Sequence, residues 1–213
     1  MRRGAWWFAL AGLAACARGG ATPARDAGAG AAPAYAVFTE RGTRELFMQQ
    51  GPNIRVMQDT AIRGAEHIGY NPSTGLVTLR RGVFRISGYS ITTFGYKLTK
   101  AQQDSMHSEP GYAFFCNVDS RGMQTLGSMQ DPILSNASHV DDVIAVPDTT
   151  RFYLGHQNGD TIRGVRLETY WEGLGTNHVF ARLVVERLGD VPQGTTPPAP
   201  APGEHPCWPV KKE

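Results

Sequence analysis

Val165-Arg166-Leu167-Glu168-Thr169-Tyr170-Trp171-Glu172 alternates Val, Leu, Thr and Trp against Arg, Glu, Tyr and Glu. Period two is the signature of a strand with one buried and one solvated face. His178 to Leu188 follows, with Val179, Ala181, Leu183 and Val185 on one face, and with Phe180 and Val184 giving the other face a cover of its own. The stretches Gly75 to Arg80, Gly82 to Phe94, Tyr112 to Val118, Asp141 to Val146 and Arg151 to Gln157 read as strands too. Turn signals punctuate them at Asn71-Pro72, Arg81-Gly82, Arg121-Gly122, Pro147-Asp148 and Asn158-Gly159. Asn158-Gly159 reads as a hairpin turn leading into a later strand. Thr99 to His107 is the one short helical candidate. Many short strands with regular turns predict an all-β domain, a sandwich or barrel.

The ends differ in composition. The chain has 213 residues, of which 41% are hydrophobic and 19% charged, enough apolar surface for a globular core. From Ala17 to Tyr35 it is nearly all Ala, Gly and Pro, without a large apolar side chain before Tyr35, and reads as a tether. Seven of the 14 prolines fall between Pro192 and Pro209, which predicts an extended tail, either an inert spacer or a ligand for an aromatic groove. The expected organisation is therefore 1–15 signal peptide, 16–35 anchor and linker, 36–190 β-sandwich and 191–213 Pro-rich tail. The net charge of +2 belongs to the ends, since residues 36–190 hold 15 Lys and Arg against 16 Asp and Glu. No nucleic-acid partner is expected from such a balance.

Arg2 and Arg3 precede an uncharged stretch from Trp6 to Ala15, too short to span a bilayer as a helix but suited to a secretory signal. It ends Leu13-Ala14-Ala15-Cys16, which resembles the bacterial lipobox. That resemblance implies cleavage before Cys16, lipidation of Cys16 and a lipid-anchored protein of the cell envelope. Ala17, standing where a retention-type Asp would stand, implies the outer membrane.

The sequence carries no Gly-x-Ser-x-Gly elbow, no phosphate-cradling Gly loop ending in Lys-Ser/Thr, no His-Glu-x-x-His and no Cys-x-x-Cys. No cofactor is implied and no catalytic residue can be assigned. Asn136, His139, Asp141 and Asp142, with Asp131 upstream, cluster ahead of the Asp141–Val146 strand; such oxygens could bind calcium or the hydroxyls of a sugar. The other reading is a solvated polar turn. His156-Gln157-Asn158-Gly159-Asp160 carries alternating polar groups that could ligate a cation, or it is simply a turn. Tyr170, an aromatic among Arg166, Glu168 and Glu172, suits either stacking on a ligand or covering an interface. A rival function, an envelope carbohydrate-active hydrolase, would pair Asp141 or Asp142 with Glu168. Cys116 lies in an apolar strand and Cys207 in the tail; they pair, or Cys207 stays free or bonds another chain.

Gly82-Val83-Phe84-Arg85-Ile86-Ser87-Gly88-Tyr89 resembles an early strand of C1q/TNF-like domains, and Gly159-Asp160, the Gly173–Asn177 loop and Phe180-Ala181-Arg182-Leu183 are similar to that family's closing elements. Ala181-Arg182 replace the family's small Ser-Gly pair, and the linker glycines do not follow a collagen period. The resemblance implies a two-sheet antiparallel jelly roll of ten strands, tending to form a homotrimer and to recognise ligands. The expected function is thus a tethered, non-catalytic binding or structural module, with an envelope glycan or protein as ligand. Labelling with radioactive palmitate tests the anchor: wild type takes up label, and Cys16→Ala does not.

Overall fold

Alternation in sequence becomes alternation in burial. In the computed structural model, the described residues are 33–42, 46–49, 51–94, 111–120, 122–130, 136–158, 165–168, 178–195 and 207. They form β1 (Tyr35–Arg41), β2 (Leu46–Phe47), β3 (Gly51–Ile54), β4 (Asp59–Arg63), β5 (Ile68–Asn71), β6 (Leu76–Leu79) and β7 (Gly82–Ile91). The chain continues through β8 (Thr93–Phe94), β9 (Gly111–Asn117), β10 (Gly122–Gln130), β11 (Ala137–Val146), β12 (Thr150–Asn158), β13 (Val165–Glu168) and β14 (Val179–Gly189). There is no helix among the described residues. The candidate helix Thr99 to His107 lies outside them.

Two antiparallel sheets face each other, one ordered β11-β7-β14-β1-β4, the other β10-β9-β12-β6-β5 with β3 also paired to β12. Take the eight strands β1, β6, β7, β9, β10, β11, β12 and β14 in chain order. The first pairs with the last, the second with the seventh, the third with the sixth and the fourth with the fifth. A long hairpin wound upon itself in this way is a jelly roll. The protein is an all-β, two-sheet antiparallel jelly-roll sandwich. A small third sheet, β2-β13-β8, accompanies it and was not foreseen.

The core lies between the sheets, where Ala36, Phe38, Phe84, Ile86, Leu183 and Val185 meet Ile68, Leu79, Phe115, Phe152 and Leu154. The Phe115 and Phe152 rings stack at 5.0 Å. Tyr70 closes one side: its hydroxyl accepts from Met57 N at 2.7 Å and donates to Met57 O at 3.0 Å. Burial, with Glu40 nearby, raises its pKa to about 12, so it stays a neutral donor.

Three expectations change. Asn158-Gly159 does not turn β12 into a hairpin with the next described strand. β12 pairs with β9, β6 and β3, Asn158 opposite Gly51, while β13 joins β2 and β8. Residues 82–94 are not one strand, since β7 ends at Ile91 and β8 belongs to the third sheet. The strand expected from Asp141 begins at Ala137 and pairs at all ten positions with β7.

Cys116 on β9 is bonded to Cys207, 91 residues away and 5.9 Å between Cα atoms. Of the alternatives left open, the intrachain pair is the one formed, and it ties the tail to the sandwich. A cross-link closing so long a loop restricts the unfolded chain by on the order of 4–5 kcal/mol in the entropy model. Replacing both cysteines by alanine is expected to lower the unfolding free energy in urea by about 2–5 kcal/mol, with the strand signature in circular dichroism retained.

Candidate functional site

The residues singled out ahead of β11 are not in a turn. His139, Asp141 and Asp142 belong to the strand itself, and Asn136 is exposed just before it. Asn136 to Val140 read as the approach to a strand starting at Asp141, yet β11 already begins at Ala137; it is the edge strand of its sheet, where charge facing solvent is compatible with regular pairing and blunts the open edge. Alternation then separates the group. His139 and Asp141 face outward. Asp142 has the opposite parity and is half-buried, its carboxylate accepting from Thr125 Oγ1 at 2.6 Å and from Val143 N at 2.7 Å. Glu168, the proposed carboxylate partner, sits on β13 in the third sheet, a different sheet from the one that carries Asp141 and Asp142. Tyr170 lies outside the described residues, as does Cys16. Among the described residues no three His, Cys, Asp or Glu side chains converge as a metal site.

What β11 does present is a flat outer face. His139 meets the Tyr89 ring of β7 at 5.9 Å, as their register demands. Asp141 lies 3.6 Å from Arg85 Nε, an exposed pair of little energetic weight. Val143, 57% exposed, continues this face; on the neighbouring edge strand β10, Leu126 and Met129 are 59% and 69% exposed. Large apolar side chains on two adjoining strand edges are what an interface would cover.

A second group was missed. Arg55, just after β3, is fully buried. Its Nη1 lies 3.2 Å from Glu40 Oε2 on β1, its Nε donates to Ser90 Oγ on β7 at 2.9 Å, and its Nη2 donates to the Ile91 carbonyl. Ser90 Oγ is in turn 2.8 Å from Nδ1 of His156 on β12. Beside this cluster Thr92 and Gln130 exchange side-chain and backbone hydrogen bonds, and Ser138 Oγ accepts from Ala113 N at 2.7 Å. His156 is therefore not part of an exposed cation loop. It lies inside the sandwich, because β12 runs on to Asn158 and its inward parity includes Phe152, Leu154 and His156.

A Ser–His contact of this length has the spacing of an activated nucleophile. Both residues are inaccessible, and Ser90 is engaged by a guanidinium. Burial, and then the Arg55 charge, push the His156 pKa well below its ordinary 6.5. With Ser90 and His156 both sealed from solvent, the group faces no cleft and links strands of the two sheets. The one sequence signal was inverted: in Asn53-Ile54-Arg55-Val56-Met57 the buried positions are Asn53, Arg55 and Met57, with Ile54 and Val56 only partly covered.

At the opposite end, beside the Asn117–Ser120 and Pro147–Thr149 turns, lies an open depression of about 250 Å³ whose lining includes Asp119, Gln124, Asp148 and Phe152. Asp119 is occupied by Arg151, whose Nε donates to it at 3.0 Å and whose backbone N donates at 2.8 Å; this pair holds the carboxyl below its usual range.

No protein-family model and no curated protein sequence matches the chain. Among solved structures, it is similar to the globular domain of zebrafish complement 1qA protein, at 11% identity and a TM-score of 0.45, over 75% of this chain and 98% of that one. It is also similar to Eiger TNF from S. frugiperda, at 14% identity and a TM-score of 0.40, over 77% of this chain and 98% of that one.

The buried imidazole generates a pH dependence. Below the ordinary value of 6.5 the unfolded chain binds a proton that folded His156 refuses, so the unfolded state gains stability as pH falls. Unfolding free energy is expected to drop by at most about 2 kcal/mol from this group between pH 7.5 and pH 5. In His156→Gln the urea midpoint should vary less over the same interval.

Proposed function

We propose that the chain is an extracytoplasmic lipoprotein, held to the envelope through Cys16 and placed in the outer membrane, whose jelly roll is a non-catalytic binding or structural module. The observation that carries this reading is the buried Cys116–Cys207 disulfide. Such bonds persist in oxidising compartments, and the export pattern ending at Cys16 independently calls for that destination. The non-catalytic part rests on how the reactive side chains are used. Ser90, His156, Glu40 and Arg55 are sealed in the interior, while Asp142 and Asp119 are engaged by Thr125 and Arg151.

The outer face bearing Tyr89, His139 and Asp141 is the surface offered to an envelope glycan or protein. The apolar edge formed by Leu126, Met129 and Val143 supports assembly into a homotrimer, in which a closed ring hides the open strand edges. Three lipids on one particle would then reinforce anchoring.

Light scattering of the mature chain with Cys16 replaced by serine tests the assembly. The expected mass is three times that of one chain, and Met129→Lys is expected to return it to one. A single-chain mass for the unaltered domain at high concentration contradicts the trimer. Fractionation of cells tests the placement: wild type sediments with outer membranes, and Cys16→Ala appears in the soluble fraction.

A further inference from the structure

Strand β9 is buried on both faces. Ala113 and Phe115 point into the core; Phe114 and Cys116, of opposite parity, are just as fully buried, and Tyr153 of β12 joins them in a second cluster rimmed by Ile54, Leu76, Tyr112 and Val118. The outer face of an antiparallel sheet is ordinarily solvated, so a further layer covers this one. Among the described residues, Cys207 is the one that reaches it from beyond the sheets, and Cys207 is itself fully buried.

The face is aromatic and closely fitted. The Phe114 ring stands edge-on to Tyr153 at 5.7 Å and to Tyr112 at 6.5 Å. It packs over Gly155, where a Cβ would come within 2.3 Å of it. Glycine is what lets the ring lie against the strand.

We propose that this face is the docking surface of the chain's own C-terminal segment, His205-Pro206-Cys207-Trp208-Pro209-Val210, held by packing as well as by the disulfide. Three observations converge. Consecutive Cα atoms are about 3.8 Å apart, so Pro206 and Trp208 adjoin a buried disulfide. Segments rich in proline dock on aromatic surfaces because their extended form is already set, and this one carries Trp208 and Val210 within three residues of Cys207 in sequence. The twelve residues from Thr196 to Cys207 can span up to roughly 40 Å, enough to return from the sheet of β14 to the opposite sheet. The tail is then a third layer of the sandwich, and the aromatic face is withheld from other partners.

The test uses the folded, full mature chain. Reduction of Cys116–Cys207 by a phosphine under native conditions is timed by alkylation and mass measurement in wild type and in Trp208→Ala. Reduction at least about tenfold faster in Trp208→Ala supports the proposal, and equal rates overturn it. A wild-type rate that rises on dilution assigns the cover to a second copy and also overturns it. In a Cys207→Ser chain, where no cross-link exists, Cys116 is expected to react slowly with maleimide and to react about tenfold faster when Trp208→Ala is added. Equal reactivity in those two chains means that the disulfide alone holds the tail, and the proposal fails.

Discussion

The guanidinium of Arg55 has no exposed surface, and the architecture of one end of the sandwich follows from that constraint. Removing a cation and a carboxylate from water costs several kcal/mol for each ion, and the Coulombic attraction of the pair offsets this only when the remaining donors are satisfied. Glu40 alone does not satisfy a five-donor fork. Ser90 Oγ and the Ile91 carbonyl take two more donors. These partners come from β1 and β7 of one sheet, while Arg55 follows β3 of the other. The polar cluster thus does at this end what Phe, Leu and Val do in the middle, but with directional bonds. It demands that β1, β7 and β12 end in a fixed register. Burial first, and then the nearby Arg55 charge, disfavour a proton on His156 as well.

The two sheets are covered unequally. In the sheet of β9 and β12 the central strands are apolar on both faces and Cys207 lies on the outer one. In the sheet of β7 and β11 the outer face carries Tyr89, His139, Arg85 and Asp141 and remains open. Exposed side chains are thus concentrated on the latter face and on the apolar rim along β10 and β11. A disulfide on one side and an aromatic and charged surface on the other give a single small domain two chemically different faces.

Much of the strand content was legible because period two is a local property. β7, β9, β12 and β14 announce themselves by alternating or continuous apolar residues. Failures came where a local cue had two meanings. Asn136 to His139, polar and small, marks a turn in isolation but also suits the start of an edge strand. Asn158-Gly159 marks a hairpin, yet β12 finds its partners among β3, β6 and β9, because the jelly roll pairs strands far apart in sequence. Arg55 between Ile54 and Val56 looks like the solvent face of a strand. Its burial depends on Glu40, Ser90 and His156, whose sequence distances from it carry no periodic signal.

The sequence by itself determined the all-β class, the export and lipid-anchor expectation with its tether, and the supply of aliphatic and aromatic residues for a core. Each of these rests on composition or on neighbours one to four residues apart. Only the tertiary structure decided that Cys116 meets Cys207, that Glu40, Arg55, Ser90 and His156 share one dry site, and that His139 and Asp141 part company with Asp142. Those outcomes depend on which strands lie beside one another. Strand pairing is set by burying both sheets at once, a condition on the whole chain that no local stretch contains.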